Sequence, residues 1–253
     1  MNAPASVSYA ETFLQYFDVC LADDASQQAD CFRIRYRVYC EEFGYERAEA
    51  FADEAERDDF DRQSLHCLVT HKGTEMPAGC VRVVRPDLTH ADALLPFEKY
   101  CGDSLDADYK EAYAVPGRDV CEVSRLAVDG MFRRRSGEKA NRFGGTHISD
   151  LSKEERRTFP LIAISCFLAA TALTELSGAT NAYAMMEPFL PRILSRAGID
   201  FTRVGQNVDY HGTRAAYFIT TEAAVSNMSP DLLELYKAIR GSIAIDYPRC
   251  SWT

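Results

Sequence analysis

The sequence predicts a mixed α/β fold, in which helices pack on a central sheet that holds both antiparallel and parallel strands. Two observations carry this prediction: strand-like runs follow an N-terminal helical region, and a strand–helix–strand pattern comes after them. The chain has 253 residues and 47% hydrophobic content, which suffices for one large core. No linker rich in proline, glycine or serine divides the chain, so we expect residues 1–253 to form a single domain with helices at both ends.

The first predicted elements are two helices, at residues 10–22 and roughly 28–43. In the second helix Arg35 lies beside the apolar stripe, and Gly44 suits the end of the helix. The remaining elements follow from apolar runs and their turn signals. The predicted strands are 64–70, 78–84, 119–128, 181–186, 199–204 and 214–221, and the predicted helices are 95–100, 159–176, 188–197 and 230–240. A hairpin turn at 71–77 joins the first two strands, and residues 130–157, polar and glycine-containing, are predicted to be mobile.

Charge and cysteine usage narrow the function classes. A formal net charge of −10 argues against general nucleic-acid binding. The nine cysteines include no CxxC pair, so we predict reduced, mostly buried thiols and no metal site. The most apolar segment, at 159–173, is shorter than the ~20 residues that a bilayer span requires, and the N-terminus lacks the pattern of a secretory signal. We therefore expect a cytoplasmic protein without a transmembrane segment.

Arg35 allows two interpretations. Its methylenes could cover apolar surface while its guanidinium reaches water, or it could belong to a site together with Tyr39 and Tyr45. The acidic segment 53–61, with six acids in nine residues, is equally open. It is either a solvated surface or a place where carboxylates at a strand entrance hold an ammonium group by charge-assisted hydrogen bonds.

Charged residues inside predicted strands are the strongest local signal for a site. Arg82 is the one charge in the run GCVRVV, and Glu122 and Arg125 interrupt VCEVSRLAV. An unpaired buried charge costs several kcal/mol, so these groups must find partners or line a cavity. Residues three apart face opposite sides of a regular strand, but a β-bulge would bring Glu122 and Arg125 to the same side. Structural and functional roles remain equally open for this pair.

The order and spacing of these residues resemble those of acyl-homoserine-lactone synthases. The matching positions are Arg35, Tyr39 and Tyr45, then Asp58-x-x-Asp61, then Arg82 in its strand, then Glu122-x-x-Arg125. Both aromatic positions are tyrosine here, where those enzymes carry phenylalanine and tryptophan. The segments FRIRYRVYCEEFGYE, DDFDRQSLH, EVSRLAVDGMFRRR, MMEPFLPRILSRAGIDFTRVG and DYHGTRAAYF resemble acyltransferases associated with the PEP-CTERM/exosortase system, over residues 28–221. Both groups belong to the GNAT superfamily, as do the N-acyl amino acid synthases.

The resemblance implies a GNAT-like domain whose central mixed sheet is splayed between strands 119–128 and 181–186, with a fatty acyl donor in the gap. It implies an N-acyltransferase that uses acyl carrier protein or acyl-CoA as co-substrate, has no tightly bound cofactor or metal, and acylates an amino acid or similar small amine. A lactone synthase that uses S-adenosylmethionine, or a non-catalytic acyl-binding module, are the alternatives. The apolar helix 159–176 would form a wall of the acyl tunnel.

The resemblance also implies roles for individual residues. Glu122 would be the general base, with Ser124 and Arg125 beside it as catalytic residues. The predicted substrate-binding residues are Arg35, Tyr39, Tyr45, Asp58, Asp61, His66 and Arg82. The predicted donor-binding residues are Leu126, Val128, Arg133, Arg134 and Arg135, the arginines either contacting the pantetheine phosphate and an acidic carrier protein or forming a solvated basic turn. His211 is predicted to be structural.

Overall fold

The computed structural model describes residues 8–87, 93–109, 119–133 and 151–247. Within them one mixed sheet lies between helices. The α-helices are α1 Tyr9–Tyr16, α2 Ala25–Arg35, α3 Pro96–Cys101, α4 Gly130–Arg133, α5 Lys153–Arg157, α6 Pro160–Leu176, α7 Leu190–Ser195, α8 Thr221–Ser226 and α9 Pro230–Asp246. The strands are β1 Phe17–Leu21, β2 Ser64–His71, β3 Met76–Val84, β4 Val120–Val128, β5 Asn181–Met186, β6 Thr202–Arg203, β7 Val208–Asp209 and β8 Thr213–Thr220. The predicted mixed α/β fold is confirmed.

The strand order explains where a site can form. Strands β1 to β4 form an antiparallel run, β4 pairs with β5 in parallel, and β8 follows antiparallel to β5, with β6 and β7 both on β8. The parallel step between β4 and β5 needs a long crossover, and the apolar helix α6 lies in that connection. The centre of the sheet is therefore the one place in the described strands where neighbouring strands run in the same direction.

Helices cover the sheet on both faces because alternate strand residues point to opposite sides. Leu68 packs with the apolar face of α2, whereas its neighbours Cys67 and Val69 pack in the large core that contains α6. Helix α6 lies very close to β3: a Cβ on Gly79 would come within 2.9 Å of the Ile162 side chain. The apolar run therefore forms a buried helix, as predicted.

The N-terminal helix prediction was wrong in its second half. Residues Phe17–Leu21 form the edge strand β1, paired with β2, because Phe17, Val19 and Leu21 are buried while Asp18 between them is exposed. The alternation of buried and exposed residues in this strand covers only five residues. The prediction therefore extended the helical pattern of the preceding residues through it. Helix α7 and strand β6 are also shorter than predicted, and helix α9 is longer.

Past the end of α2 the chain continues as a π-helical segment, Tyr36–Glu42, and Gly44 follows with a φ of 63°. π-Helical turns are rare in proteins, and those that occur are often at functional sites. Here the segment carries Tyr39 toward strand β4, where its hydroxyl donates a 2.8 Å hydrogen bond to the carbonyl of Leu126. The irregular helix therefore ties α2 to the centre of the sheet.

The eight cysteines of the described residues are all free thiols, and seven of them are buried, in agreement with the prediction. Cys250 and residues 134–150 lie outside the described residues. The rest of the stretch predicted to be mobile, 130–157, includes helices α4 and α5 at its two ends, which the prediction did not foresee. None of the helices that the structure describes is both long and apolar enough to cross a membrane.

Candidate active site

Strands β4 and β5 separate halfway along their length. They pair only through Val120–Glu122 on β4 and Asn181–Tyr183 on β5. Beyond this point β4 continues to Val128 paired with β3 alone, and β5 continues to Met186 paired with β8 alone. The sheet therefore opens into a gap whose first residues are Glu122 and Tyr183.

A β-bulge lies on β4 next to the gap. Ser124 pairs with Arg82 and Ala127 pairs with Cys80, so that two residues of β4 lie opposite the single residue between them on β3. Arg125, the first of the two, has a φ of 51°, in the left-handed region that side chains other than glycine rarely adopt. Bulges re-aim side chains, and Glu122 and Arg125, three apart in sequence, both line one cleft.

The cleft holds about 610 Å³ of empty space, its open mouth included. Side chains from seven separate segments, most of them polar or aromatic, form its walls. They are Tyr39, Tyr45, Glu46, Asp58, Arg82, Pro96, Phe97, Tyr100, Glu122, Ser124, Arg125, Met185, Tyr210, His211 and Arg214.

Glu122 is the buried acid of the cleft. Its side chain is 3% exposed and accepts a 2.7 Å hydrogen bond from the backbone N–H of Phe97. Burial raises the pKa of Glu122 to about 8, although the Phe97 N–H and the charges of Arg82 and Arg125 act in the opposite direction. A carboxyl with this pKa exchanges its proton near neutral pH, as a general base must.

A buried ionic cluster of three arginines and three acids lies beneath the cleft. Its members are Arg35, Arg82, Arg125, Glu56, Asp58 and Asp61. Arg35 is fully buried, and its guanidinium donates to both oxygens of Asp61 at 2.7 and 3.0 Å and to Glu56. Arg35 therefore does not reach water. The acidic segment after it is not simply a solvated surface, because Glu56, Asp58 and Asp61 turn inward.

The upper part of the cluster meets the cleft. Arg82 donates from Nη1 to Asp58 at 2.6 Å and to Asp61 at 2.9 Å, and from Nε to the hydroxyl of Ser124 at 3.1 Å. Arg125 donates to Glu56 at 3.3 Å and to Asp58 at 3.2 Å. Burial alone would raise the pKa of Asp61, but Arg35 and Arg82 hold it well below its ordinary value. The cluster is thus ionised and self-neutralising.

The predicted substrate-binding residues divide into two layers. Tyr39, Tyr45, Asp58 and Arg82 line the cleft, as do Glu122, Ser124 and Arg125. Arg35, Asp61 and His66 do not line it, and they contact one another beneath it instead. Burial, together with the charge of Arg35, lowers the pKa of His66 to about 3, so its ring is neutral and cannot pair electrostatically with Asp61, 3.6 Å away. This geometry offers those three residues no direct contact with a ligand in the cleft.

The predicted donor-binding residues lie along the exit of β4. The carbonyl of Leu126 accepts from Tyr39, and that of Val128 accepts from Nε of Arg133 at 2.7 Å. Arg133 also forms an ion pair with Glu42 and lies over the ring of Phe43. Arg134 and Arg135 lie outside the described residues.

Sequence reasoning missed the wall formed by β7, β8 and the turn between them. His211, predicted to be structural, lines the cleft with Tyr210 and Arg214. Its ring lies 5.4 Å from that of Tyr45, and its Nε2 lies 3.5 Å from Glu46. The motif YHGTR contained the signal, a polar turn directly before a strand, but these residues lie more than 80 positions from Glu122 in the chain.

A second, apolar cavity with about 480 Å³ of empty space, its open mouth included, adjoins the gap. Val123, which follows Glu122, and Ala184, which follows Tyr183, both line it, and helix α6 contributes Phe167, Ala170 and Thr171. Adjacent strand residues face opposite sides of a sheet. The polar cleft and the apolar cavity therefore meet at the opening between β4 and β5.

Comparison with known proteins agrees with this architecture. Residues 34–141 match the model of a family described as an acetyltransferase (GNAT) domain. No curated protein sequence matches the chain. Similar solved structures include TofI in a ternary complex with an inhibitor and MTA, with a TM-score of 0.59, 19% identity, and coverage of 86% of this chain and 99% of TofI.

Two further structures share the fold. BjaI, a CoA-dependent acyl-homoserine lactone synthase with SAM and isopentyl-CoA, has a TM-score of 0.56 at 15% identity and covers 89% of each chain. FeeM, an N-acyl amino acid synthase from uncultured soil microbes, has a TM-score of 0.54 at 15% identity, covering 84% of this chain and 94% of its own. Residues 34–141 thus match the model of a GNAT acetyltransferase domain, and these solved structures share the fold of this chain.

The raised pKa of Glu122 predicts a pH-dependent cost to stability. The folded state keeps the proton up to about pH 8, whereas the unfolded carboxyl releases it near 4.5. This contribution to the free energy of unfolding is therefore fully present below about pH 4.5 and is lost as pH rises toward 8, by about 5 kcal/mol at 1.36 kcal/mol per pKa unit. Glu122→Gln removes this loss. In urea unfolding, the free-energy gain of the variant should grow between pH 5 and 8 and then level off.

The matched control for this measurement is Glu154→Gln, at an exposed position of α5. It should change the free energy of unfolding by less than about 0.5 kcal/mol at every pH. A gain for Glu122→Gln that is the same at pH 5 and pH 8.5 would contradict the raised pKa.

Proposed function

We propose that this protein is an N-acyltransferase that moves a fatty acyl group from a carrier thioester to the amine of an amino acid or similar small metabolite. One observation carries the proposal: the buried carboxyl of Glu122 stands at the residue where β4 and β5 part. A thioester in that gap would lie beside a base whose pKa suits the removal of a proton from an ammonium group.

The proposed reaction is direct transfer. Glu122, through a water molecule, takes a proton from the acceptor ammonium, and the free amine attacks the thioester carbonyl. The C–N bond forms, the C–S bond breaks, and the departing thiolate takes up the second proton that the nitrogen loses as the amide forms. Arg82 and Arg125 would orient the acceptor and Glu122, and Ser124, held by Nε of Arg82, would donate a hydrogen bond near the reacting carbonyl.

The residues beneath the cleft take a positioning role in this proposal. Arg35 and Asp61 hold Arg82 and Asp58 in place through the buried ionic cluster, and His66 packs behind them. Groups whose geometry is fixed before the substrate arrives need no reorganisation during the reaction. Tyr39 and Tyr45, on the cleft wall, would contact the acceptor directly.

The donor would enter along the exit of β4. Leu126 and Val128 would flank its pantetheine arm, and Arg133, with Arg134 and Arg135 after it, would contact the phosphate. We propose acyl carrier protein as the donor over CoA, because an acidic carrier would match an arginine cluster. The motif resemblance to the PEP-CTERM/exosortase-associated acyltransferases supports the same class of reaction.

The acyl chain would occupy the apolar cavity, and two half-buried positions of α6 test this. Phe167→Ala enlarges the cavity and should shift donor preference toward longer chains, by about 0.8 kcal/mol for each additional methylene that becomes buried. Thr171→Phe fills it and should shift preference toward shorter chains. Competition between thioesters of different length measures both.

Phe189→Ala is the control for the cavity, because Phe189 is 54% exposed and does not line it. It should leave the chain-length preference unchanged. The placement of the acyl chain fails if the two α6 variants shift preference in the same direction, or if neither shifts it while thermal unfolding reports an intact fold.

Incubation of the purified protein with acyl-carrier protein or acyl-CoA and a panel of amino acids, followed by mass spectrometry, tests the function. The proposal predicts an N-acyl product and one free thiol per product. Release of a lactone and methylthioadenosine from S-adenosylmethionine would identify the lactone-synthase alternative. Binding of acyl chains without thioester turnover would identify a non-catalytic binding module.

A further inference from the structure

Three arginines line the cleft, and one of them differs from the other two. Arg82 and Arg125 donate to carboxylates of the buried ionic cluster. Arg214 forms no ion pair with any residue in the described ranges. Its guanidinium donates a long 3.4 Å hydrogen bond from Nε to the carbonyl of His211 and lies 5.6 Å from the centre of the Tyr45 ring.

The fold holds Arg214 in this position. It is the second residue of β8 and pairs with Val208 on β7, so its backbone lies in a strand ladder. The turn before it, at His211 and Gly212, has φ angles of 54° and 90°, and the carbonyl of His211 accepts from the guanidinium. A half-buried arginine in a rigid strand is a costly group to leave without a counter-ion.

The carboxylates around the cleft, within the described residues, contact groups other than Arg214. Within the buried ionic cluster three arginines balance Glu56, Asp58 and Asp61. The next acid, Glu46, lies 3.6 Å from Arg125 and 3.5 Å from His211, and burial lowers the pKa of His211, so that its ring is neutral at pH 7. Glu46 therefore contacts Arg125 and His211, and no carboxylate of the described residues lies within ion-pair distance of Arg214.

We propose that Arg214 binds the carboxylate of the acceptor, so that the enzyme selects amines that carry a carboxylate over amines that do not. This inference rests on the proposed function. A guanidinium fork matches a carboxylate in two parallel hydrogen bonds, which fixes the orientation of the bound group. With the carboxylate held at the β8 wall, the amine of the same molecule is directed into the cleft that Glu122 lines.

The phosphate of the donor is the other oxyanion that could meet an arginine here. The geometry favours the acceptor, because Arg214 lies on the polar cleft side of the sheet, together with Glu122 and Ser124. The acyl cavity opens on the opposite side, at Val123, and the arginine segment proposed for the phosphate follows the exit of β4. The two sources are separated by measuring the Michaelis constant for each substrate independently.

The test is a cycle of enzyme and substrate changes. Wild type and Arg214→Ala are each assayed with an amino acid acceptor and with the matching amine that lacks the carboxylate. For the amino acid, Arg214→Ala should raise the Michaelis constant by about 10- to 100-fold, the range for a charge-assisted hydrogen-bonded pair. For the decarboxylated amine the two proteins should be equal within about twofold, and Arg214→Lys should fall between wild type and alanine for the amino acid.

Arg33→Ala is the control, because Arg33 is 54% exposed on α2 and pairs only with Asp30 in the described residues. It should leave both Michaelis constants unchanged. Equal losses for Arg214→Ala with the two acceptors would overturn the inference, and so would a rise confined to the Michaelis constant for the donor, which would assign the residue to the phosphate.

Calorimetric titration of the amino acid into wild type and Arg214→Ala separates this inference from the proposed function. If wild type acylates amines but Arg214→Ala binds the amino acid as tightly as wild type, only the inference fails. If wild type acylates nothing, the proposed function fails. The role of Arg214 is then supported if the variant binds the amino acid at least tenfold more weakly than wild type, and it is contradicted if the two bind equally.

Discussion

Replacement of Glu122 by glutamine is expected to lower kcat/KM for acyl transfer by about 100- to 10,000-fold, the usual contribution of a positioned general base. Glutamine keeps the shape of the side chain, and its amide oxygen can still accept from the backbone N–H of Phe97. The variant therefore removes the base and leaves the cleft intact. Initial rates of thiol release measure the loss.

The pH dependence of the rate gives an independent reading of the same residue. A base must be ionised to act, and burial raises the pKa of Glu122 to about 8, so kcat for wild type should rise with pH and level off above about 8. Glu122→Asp should keep such a limb at a reduced rate, whereas Glu122→Gln should lack it. A glutamine variant with undiminished turnover would show that another group takes the proton.

Replacement of Arg35 by methionine should cost the most stability of any change in the site. Arg35 is fully buried, and its removal leaves Glu56 and Asp61 without their main counter-charge. Breaking a buried ion pair by removing one partner typically costs about 3–5 kcal/mol. Urea unfolding at pH 7 should show a loss of this size.

The control lies two residues earlier in the same helix. Arg33→Met removes an exposed pair with Asp30, and exposed pairs contribute at most about 1 kcal/mol. The double variant Arg35→Met with Glu56→Gln should recover part of the loss, because one stranded carboxylate is gone. Equal stability losses for Arg33→Met and Arg35→Met would contradict a cluster that depends on the buried arginine.

The parts of the fold with a clear period could be predicted from sequence, and the parts set by distant contacts could not. Strands β2 to β5 and helix α6 could be predicted from their apolar runs and from the hairpin turn between β2 and β3. Strand β1 does not, because its five residues follow a helical pattern without a break and become a strand only by pairing with β2.

The candidate site divides in the same way. Arg82, Glu122 and Arg125 could be predicted as site residues because each is a charge within an apolar strand. For Glu122 and Arg125 to share one side, the sequence requires a β-bulge, and the structure has one. The sequence did not indicate that Arg35 pairs with Glu56, since an acidic segment looks the same whether it faces water or an arginine. It also did not indicate that Arg214 shares their cleft, because only the pairing of β8 with β5 brings it there.

A crystal structure with a non-cleavable thioether analogue of the acyl donor would show whether the donor binds in the gap between β4 and β5. We expect the sulfur to lie in the opening beyond Glu122 and Tyr183, and the acyl chain to lie in the cavity beside Phe167. The carboxyl of Glu122 should face the position of the thioester carbonyl. Strands β4 and β5 paired past those two residues, or an analogue bound away from the gap, would contradict it.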